Sequence, residues 1–111
     1  MGRELYEVKA ELFKALGHPA RVRVLEVLAT GEHTVGDMQP LVGIESSHLS
    51  QQLAVLRRTG IVSTRKEGSS VVYSLKDPVV AELLSAARQV LMVVLADSSE
   101  LLDDLSAEVG P

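Results

Sequence analysis

The chain has no cysteine. Disulfides, thiolate metal ligands and thiol redox switches are therefore excluded together, and a reducing cytosol is the compartment such usage suits. Nothing approaches 18 uninterrupted apolar residues, which excludes a membrane-spanning helix by hydropathy. The amino terminus, Met1-Gly2-Arg3-Glu4-Leu5-Tyr6-Glu7, places acids where a secretory signal needs an apolar run. A cytoplasmic protein without a membrane partner is expected. Ser, His and Asp are present, but no Gly-rich phosphate loop, nucleophile elbow or paired-carboxylate arrangement surrounds them, so no enzyme is expected. Internal repeats, linkers and low-complexity tracts are absent too, and residues 1–111 read as a single domain.

What is present is ordinary globular material, 46% apolar and 23% charged over 111 residues. A domain of this size buries only about 60–70% of the surface its unfolded chain exposes, so any apolar helix left over gains from a second copy of the chain. The net charge of −4 is unevenly spread. Residues 1–47 carry five basic and seven acidic side chains (−2), residues 48–76 five and one (+4), and residues 77–111 one and seven (−6). A basic centre between acidic ends fits one face turned toward phosphate, with the remainder keeping the molecule soluble.

Apolar residues at helical spacing (Leu5, Val8, Leu12 and Leu16, beside Tyr6, Ala10 and Phe13) predict a first helix over 4–16 with two apolar faces. Gly17-His18 ends it, and Pro19 suits the first turn of a second helix reaching Ala29, with Val22, Leu25, Val27 and Leu28 inward. Thr34-Val35-Gly36-Asp37 has the form of a capping box for a short third helix whose inner face is Val35, Met38, Leu41 and Val42. Pro40 limits its length. After a turn at Gly43, a fourth helix runs from about Ser46 to Arg58 with Leu49, Leu53 and Leu56 inward. Beyond Gly60 the pattern becomes strand-like: runs 61–66 and 70–75 flank Glu67-Gly68-Ser69 and predict a β-hairpin. Asp77-Pro78 then opens a long last helix through Val80, Leu84, Ala87, Leu91, Val94, Leu101 and Leu105, which Ser98-Ser99 can interrupt.

Two short helices joined by a tight Gly-containing turn are a helix-turn-helix signature, here over 34–58, with the hairpin at 61–75 in the place of a wing. The stretch Ala15-Leu16-Gly17-His18-Pro19-Ala20-Arg21-Val22-Arg23-Val24-Leu25, the stretch Ser50-Gln51-Gln52-Leu53-Ala54-Val55-Leu56-Arg57-Arg58-Thr59-Gly60-Ile61-Val62, and the hairpin end Val72-Tyr73-Ser74-Leu75 occur in one order. That ordered set, over about residues 5–95, resembles the ArsR/SmtB family of winged-helix repressors. The resemblance implies a mainly α fold with a small β-hairpin wing (α+β), in the order of four helices, two strands and a helix. It also implies a homodimer on a palindromic double-stranded DNA operator, with the helices at 4–16 and 78–105 forming the dimer contact. Leu5, Val8, Leu12, Leu84, Leu91 and Val94 are the apolar candidates for that interface.

The residues of the fourth helix support the same reading independently. Its outward arc carries Ser46, Ser47, His48, Ser50, Gln51 and Ala54, with Gln52 beside them, and between Ser46 and Leu56 there is neither Lys nor Glu. Short and amide side chains let a helix approach base edges, and Gln offers adenine a bidentate contact. Arg57, Arg58, Arg65, Lys66 and Ser69 are the candidate phosphate contacts around the helix end and hairpin tip. Tyr73 is assigned to packing.

The resemblance also raises metal or redox sensing, and the residues oppose it. The family's thiol-rich site on the third helix falls at His33-Thr34-Val35-Gly36-Asp37, with Thr34 and Gly36 where cysteines would stand. Its site between paired last helices needs Asp and His, and residues 78–111 contain no His. His18, His33 and His48 lack paired ligand spacing. No metal or other cofactor is expected, and no effector is specified. The acidic group Glu100, Asp103, Asp104 and Glu108 reads as a solvated helix end. A dimeric protein-interaction module that has given up DNA is the alternative, favoured by the net acidity.

Overall fold

The computed structural model describes residues 2–96 and 99–107. Helix α1 (Leu5–Leu16) opens with Glu4, whose backbone N–H donates to Glu7 Oε1 at 3.0 Å. Of its side chains only Ala15 is buried, so the helix lies on the surface. Helix α2 (Pro19–Leu28) follows at once. His18 Nδ1 accepts from Ala20 N at 3.1 Å, which satisfies a free helix-end donor, and Pro19 occupies the first turn, where its missing N–H costs nothing.

Strand β1 (His33–Thr34) is two residues long, and its last residue starts helix α3 (Val35–Val42). Thr34 Oγ1 accepts from Asp37 N at 3.1 Å, as the capping sequence predicts. Gly43, at φ 82°, takes the left-handed conformation that closes α3, and Gln39 Nε2 donates across the turn to Ile44 O at 3.0 Å. Helix α4 (Ser46–Thr59) ends on Gly60. The hairpin is β2 (Val62–Glu67) and β3 (Ser70–Leu75), and the antiparallel sheet has the order β1-β3-β2, with His33 opposite Tyr73 and Thr34 opposite Val72. Helices α5 (Val79–Val94) and α6 (Ser99–Ala107) complete the described chain.

The core is one cluster in which Val24, Leu25, Val27 and Leu28 of α2 meet Met38 of α3, Leu49, Leu53 and Leu56 of α4, and Ile61 and Val62 at the root of the hairpin. Burying each of the larger side chains contributes roughly 1.5–3 kcal/mol, and together they fix α4 against α2 and α3. Tyr73 packs against this cluster. Among the described residues no helix is long and apolar enough to cross a membrane.

Four expectations are corrected. Strand β1 has no counterpart in the sequence pattern, because two residues are too few to show a period and its pairing comes from β3, about 40 residues away. The last helix, single in the expected order of elements, is two helices, interrupted just ahead of Ser99: α5 stops at Val94, where Leu95 N donates to Leu91 O and Ala96 N donates to Val93 O. The following Asp97-Ser98-Ser99 is made of side chains that compete with helical hydrogen bonds. Ser98 and Glu108 lie outside the described residues. Leu41 is exposed, since the inward arc of α3 runs through Val35, Met38 and Val42. Leu84 is half-buried against the chain's own core, whereas Leu5, Val8, Leu12, Leu91 and Val94 are exposed.

Candidate nucleic-acid interface

Helix α4 is held from behind by its leucines, and what it presents outward follows from the angle of about 100° per residue. Counted from Leu49, Gln51 lies about 200° around the helix and Ala54 about 140°, while Gln52 lies at about 300°, which is back toward the core. Accordingly Ser46, Ser47, Ser50, Gln51 and Ala54 are exposed. Gln52 is only 7% exposed, and its Oε1 accepts from Arg21 Nη1 at 2.9 Å. This corrects its assignment as a base-reading residue: its amide is spent inside the protein. His48 is half-buried, its ring edge-on to that of His18 with centroids 6.0 Å apart.

Arg21 is a positioning residue for α4 that the sequence pattern does not single out. Its Nε donates to Ala15 O while Nη1 donates to Gln52, so one guanidinium ties the end of α1 to the middle of α4. A donor fork with fixed geometry suits this role better than a lysine would. The signal available in the sequence was its place in the junction between the first two helices.

The basic residues lie on two elements, the end of α4 and the hairpin. Arg57 and Arg58 are exposed in the last turn of α4, where positive charge also complements the helix dipole. Arg58, with Val55 and Thr59, borders a cavity whose other wall is Val8, Lys9, Glu11 and Leu12 of α1, so it stands on the α1 side of the molecule. On the hairpin, Lys66 and Ser69 are exposed. Arg65 is exposed as well but engaged: Nη1 meets Glu32 Oε2 at 2.6 Å and Nη2 meets Glu67 Oε2 at 2.8 Å. In the unbound chain two carboxylates thus share the one guanidinium, and a phosphate would have to displace or share these exposed partners. Among the described residues, no group of three or more His, Cys, Asp or Glu is placed to hold a metal ion.

The hydrogen bond from Arg65 holds the Glu32 carboxyl below the ordinary glutamate range, with its charge adding to the effect and partial desolvation opposing it. Arg65 in turn is held above its ordinary value. Because the folded value is the depressed one, the pairing is complete at neutral pH and is lost only as pH falls through that lowered value. An exposed pair of this kind adds little to stability, so its mark is local. In a carboxyl-detected NMR titration, Arg65→Gln is expected to move the Glu32 midpoint upward; an unmoved midpoint would mean that the pair does not persist in solution.

The comparisons with known proteins agree with this architecture. The family described as "Bacterial regulatory protein, arsR family" matches residues 18–64, from the cap of α2 into β2. Rv0081 of Mycobacterium tuberculosis (strain ATCC 25618 / H37Rv), described as an uncharacterized HTH-type transcriptional regulator, is 52% identical over 104 residues, covering 93% of this chain and 91% of the relative. Its crystal structure matches with a TM-score of 0.79 over 86% of this chain and 97% of that one. A biofilm growth-associated repressor of Agrobacterium fabrum is 44% identical over 77 residues, 69% of this chain and 66% of its own. The solution structure of the homodimeric winged helix-turn-helix DNA-binding domain of Mb0332 from Mycobacterium bovis matches with a TM-score of 0.71 at 28% identity, over 82% and 89% of the two chains. With its helix-turn-helix, its wing and this likeness along most of its length, the chain belongs to the ArsR family of bacterial HTH-type transcriptional regulators.

Proposed function

We propose that the protein is a homodimeric repressor that occupies a two-fold-related operator, reading bases with the outer face of α4. The observation that carries this is the face itself: Ser46, Ser47, Ser50, Gln51 and Ala54 are exposed together, with no charged side chain among them. A helix kept in place only by solvation has no need of such a surface. The exposed apolar residues of α1 and α5 support pairing of two copies, as does the homodimeric state named for the Mycobacterium bovis domain. The repressor role is supported by the name of the Agrobacterium relative. Two α4 helices would enter successive major grooves roughly 34–36 Å apart, and a promoter so covered is closed to polymerase.

Selection of bound duplexes followed by gel shift tests the reading. Gln51→Ala is expected to weaken the selected site by about 1–3 kcal/mol and to relax specificity at one base pair. Lys66→Ala should weaken all sequences alike and lower the salt slope by about one. Failure to bind any duplex, or binding indifferent to salt, would overturn it. The net acidity and the carboxylate-held Arg65 favour a protein-interaction module instead, and the same gel shift separates the two.

A further inference from the structure

Between residues 48 and 76 the one acid is Glu67, and it lies on Arg65: Nη2 meets Glu67 Oε2 at 2.8 Å. A second acid reaches the same guanidinium from another part of the chain. Glu32 immediately precedes β1, and the pairing of His33 with Tyr73 carries it to the hairpin, where its Oε2 lies 2.6 Å from Arg65 Nη1. One cation with two carboxylates leaves a local charge of −1. Among the described residues the other basic candidates for phosphate contact, Arg57, Arg58 and Lys66, form no ion pair. In the hairpin register Arg65 lies opposite Val72 and Lys66 opposite Val71, so alternation puts Arg65 and Glu67 on one face and Lys66 on the other. Within a segment that is otherwise basic, two acids thus converge on a single wing cation.

We propose that Glu32 and Glu67 limit the protein's affinity for DNA by occupying Arg65 against phosphate, so that this face of the wing holds a latent phosphate contact. The inference rests on the reading of the protein as a DNA-binding repressor. A carboxylate and a phosphate make the same charge-assisted contacts with a guanidinium, so each excludes the other from the donors it holds. The Arg65 side chain is 48% exposed in its paired state, and a phosphate oxygen can therefore reach it from solvent once an acid gives way. Stability does not account for the arrangement, since an exposed ion pair contributes little to it. Phosphate contacts carry no sequence information, so the restraint falls on every duplex alike. One fewer free cation per chain weakens sequence-independent binding and the salt dependence that comes with it.

Fluorescence anisotropy on the whole chain tests this, with a selected duplex and a scrambled one of the same length, titrated from about 50 to 200 mM salt. The double variant Glu32→Gln/Glu67→Gln is expected to bind both duplexes about tenfold more tightly at the low-salt end, with a salt slope steeper by about one per chain. Glu67→Gln alone should give a smaller gain in the same direction, and it decides the matter if a thermal melt shows the double variant unfolded. Adding Arg65→Gln to the double variant is expected to cut the gain to about twofold or less, because the remaining effect is only the loss of distant repulsion. An equal gain with and without Arg65 would overturn the proposal, since the two acids would then act by repelling DNA directly. A gain confined to the selected duplex would overturn it as well. Binding by the wild-type chain with no gain in either glutamine variant overturns this inference alone, whereas a wild-type chain that binds no duplex overturns the repressor reading and this inference with it.

Discussion

Leu53→Ala is expected to lower the free energy of unfolding by about 2–5 kcal/mol. Leu53 is 1% exposed, lies near the middle of α4, and belongs to the cluster that joins α2, α3 and the hairpin root. Removing its branched end forfeits the burial and leaves a void that close-packed neighbours fill only in part. A domain whose whole stability is on the order of 5–15 kcal/mol then retains a much reduced margin. Urea unfolding monitored by far-ultraviolet circular dichroism gives the value directly. Ser50→Ala is the control, because Ser50 is exposed on the same helix and is expected to change stability by no more than about 0.5 kcal/mol. If the two substitutions cost the same, α4 is not seated as described.

Val90→Asp is expected to raise the dissociation constant of the dimer at least about 100-fold, or roughly 2.7 kcal/mol. Val90 is 59% exposed in the single chain and belongs with Leu91, Val93 and Val94 to an apolar stretch of α5 that the protein's own core does not cover. Folding of one chain therefore tolerates the charge. A two-fold interface does not, because each substituted residue enters it twice and each carboxylate loses water without gaining a partner. Sedimentation equilibrium at micromolar chain concentration is the measurement, with a thermal melt to confirm the fold. Operator affinity should fall in parallel, since a monomer reaches one half-site only. A dimer of unchanged strength would remove α5 from the contact.

The order of elements was legible because the period of the apolar pattern changes from helical to alternating at Gly60, and because Pro19, Thr34, Gly43 and Gly60 each mark a boundary by a distinct backbone requirement. The residues that escaped were those decided by partners distant in sequence. Glu32 meets Arg65 33 positions later, and Arg21 meets Gln52 31 positions later; no local pattern carries either pair. Gln52 is instructive in another way. Its amide suits adenine as well as that of Gln51 does, and chemistry alone placed both on the reading face. The helical angle from Leu49 already put Gln52 on the buried side. Leu84 is ambiguous for the opposite reason: an apolar residue on an amphipathic helix serves equally well against its own core, where Leu84 is half-buried, or against another chain, and periodicity does not distinguish them.

Thr34 is both the last residue of β1 and the cap of α3, with no residue in between. β1 is stitched to β3, so the hairpin and the first helix of the helix-turn-helix meet at a joint of zero length. The body of the hairpin and the start of α3 are therefore held in one relation by the pairing of β1 with Val72 and Tyr73. If the hairpin and the helix-turn-helix dock together on a duplex, as proposed, part of any mismatch between that relation and straight B-form DNA would fall on the nucleic acid. Base steps that lie between the touched positions, and make no contact at all, would then be selected for how readily they bend.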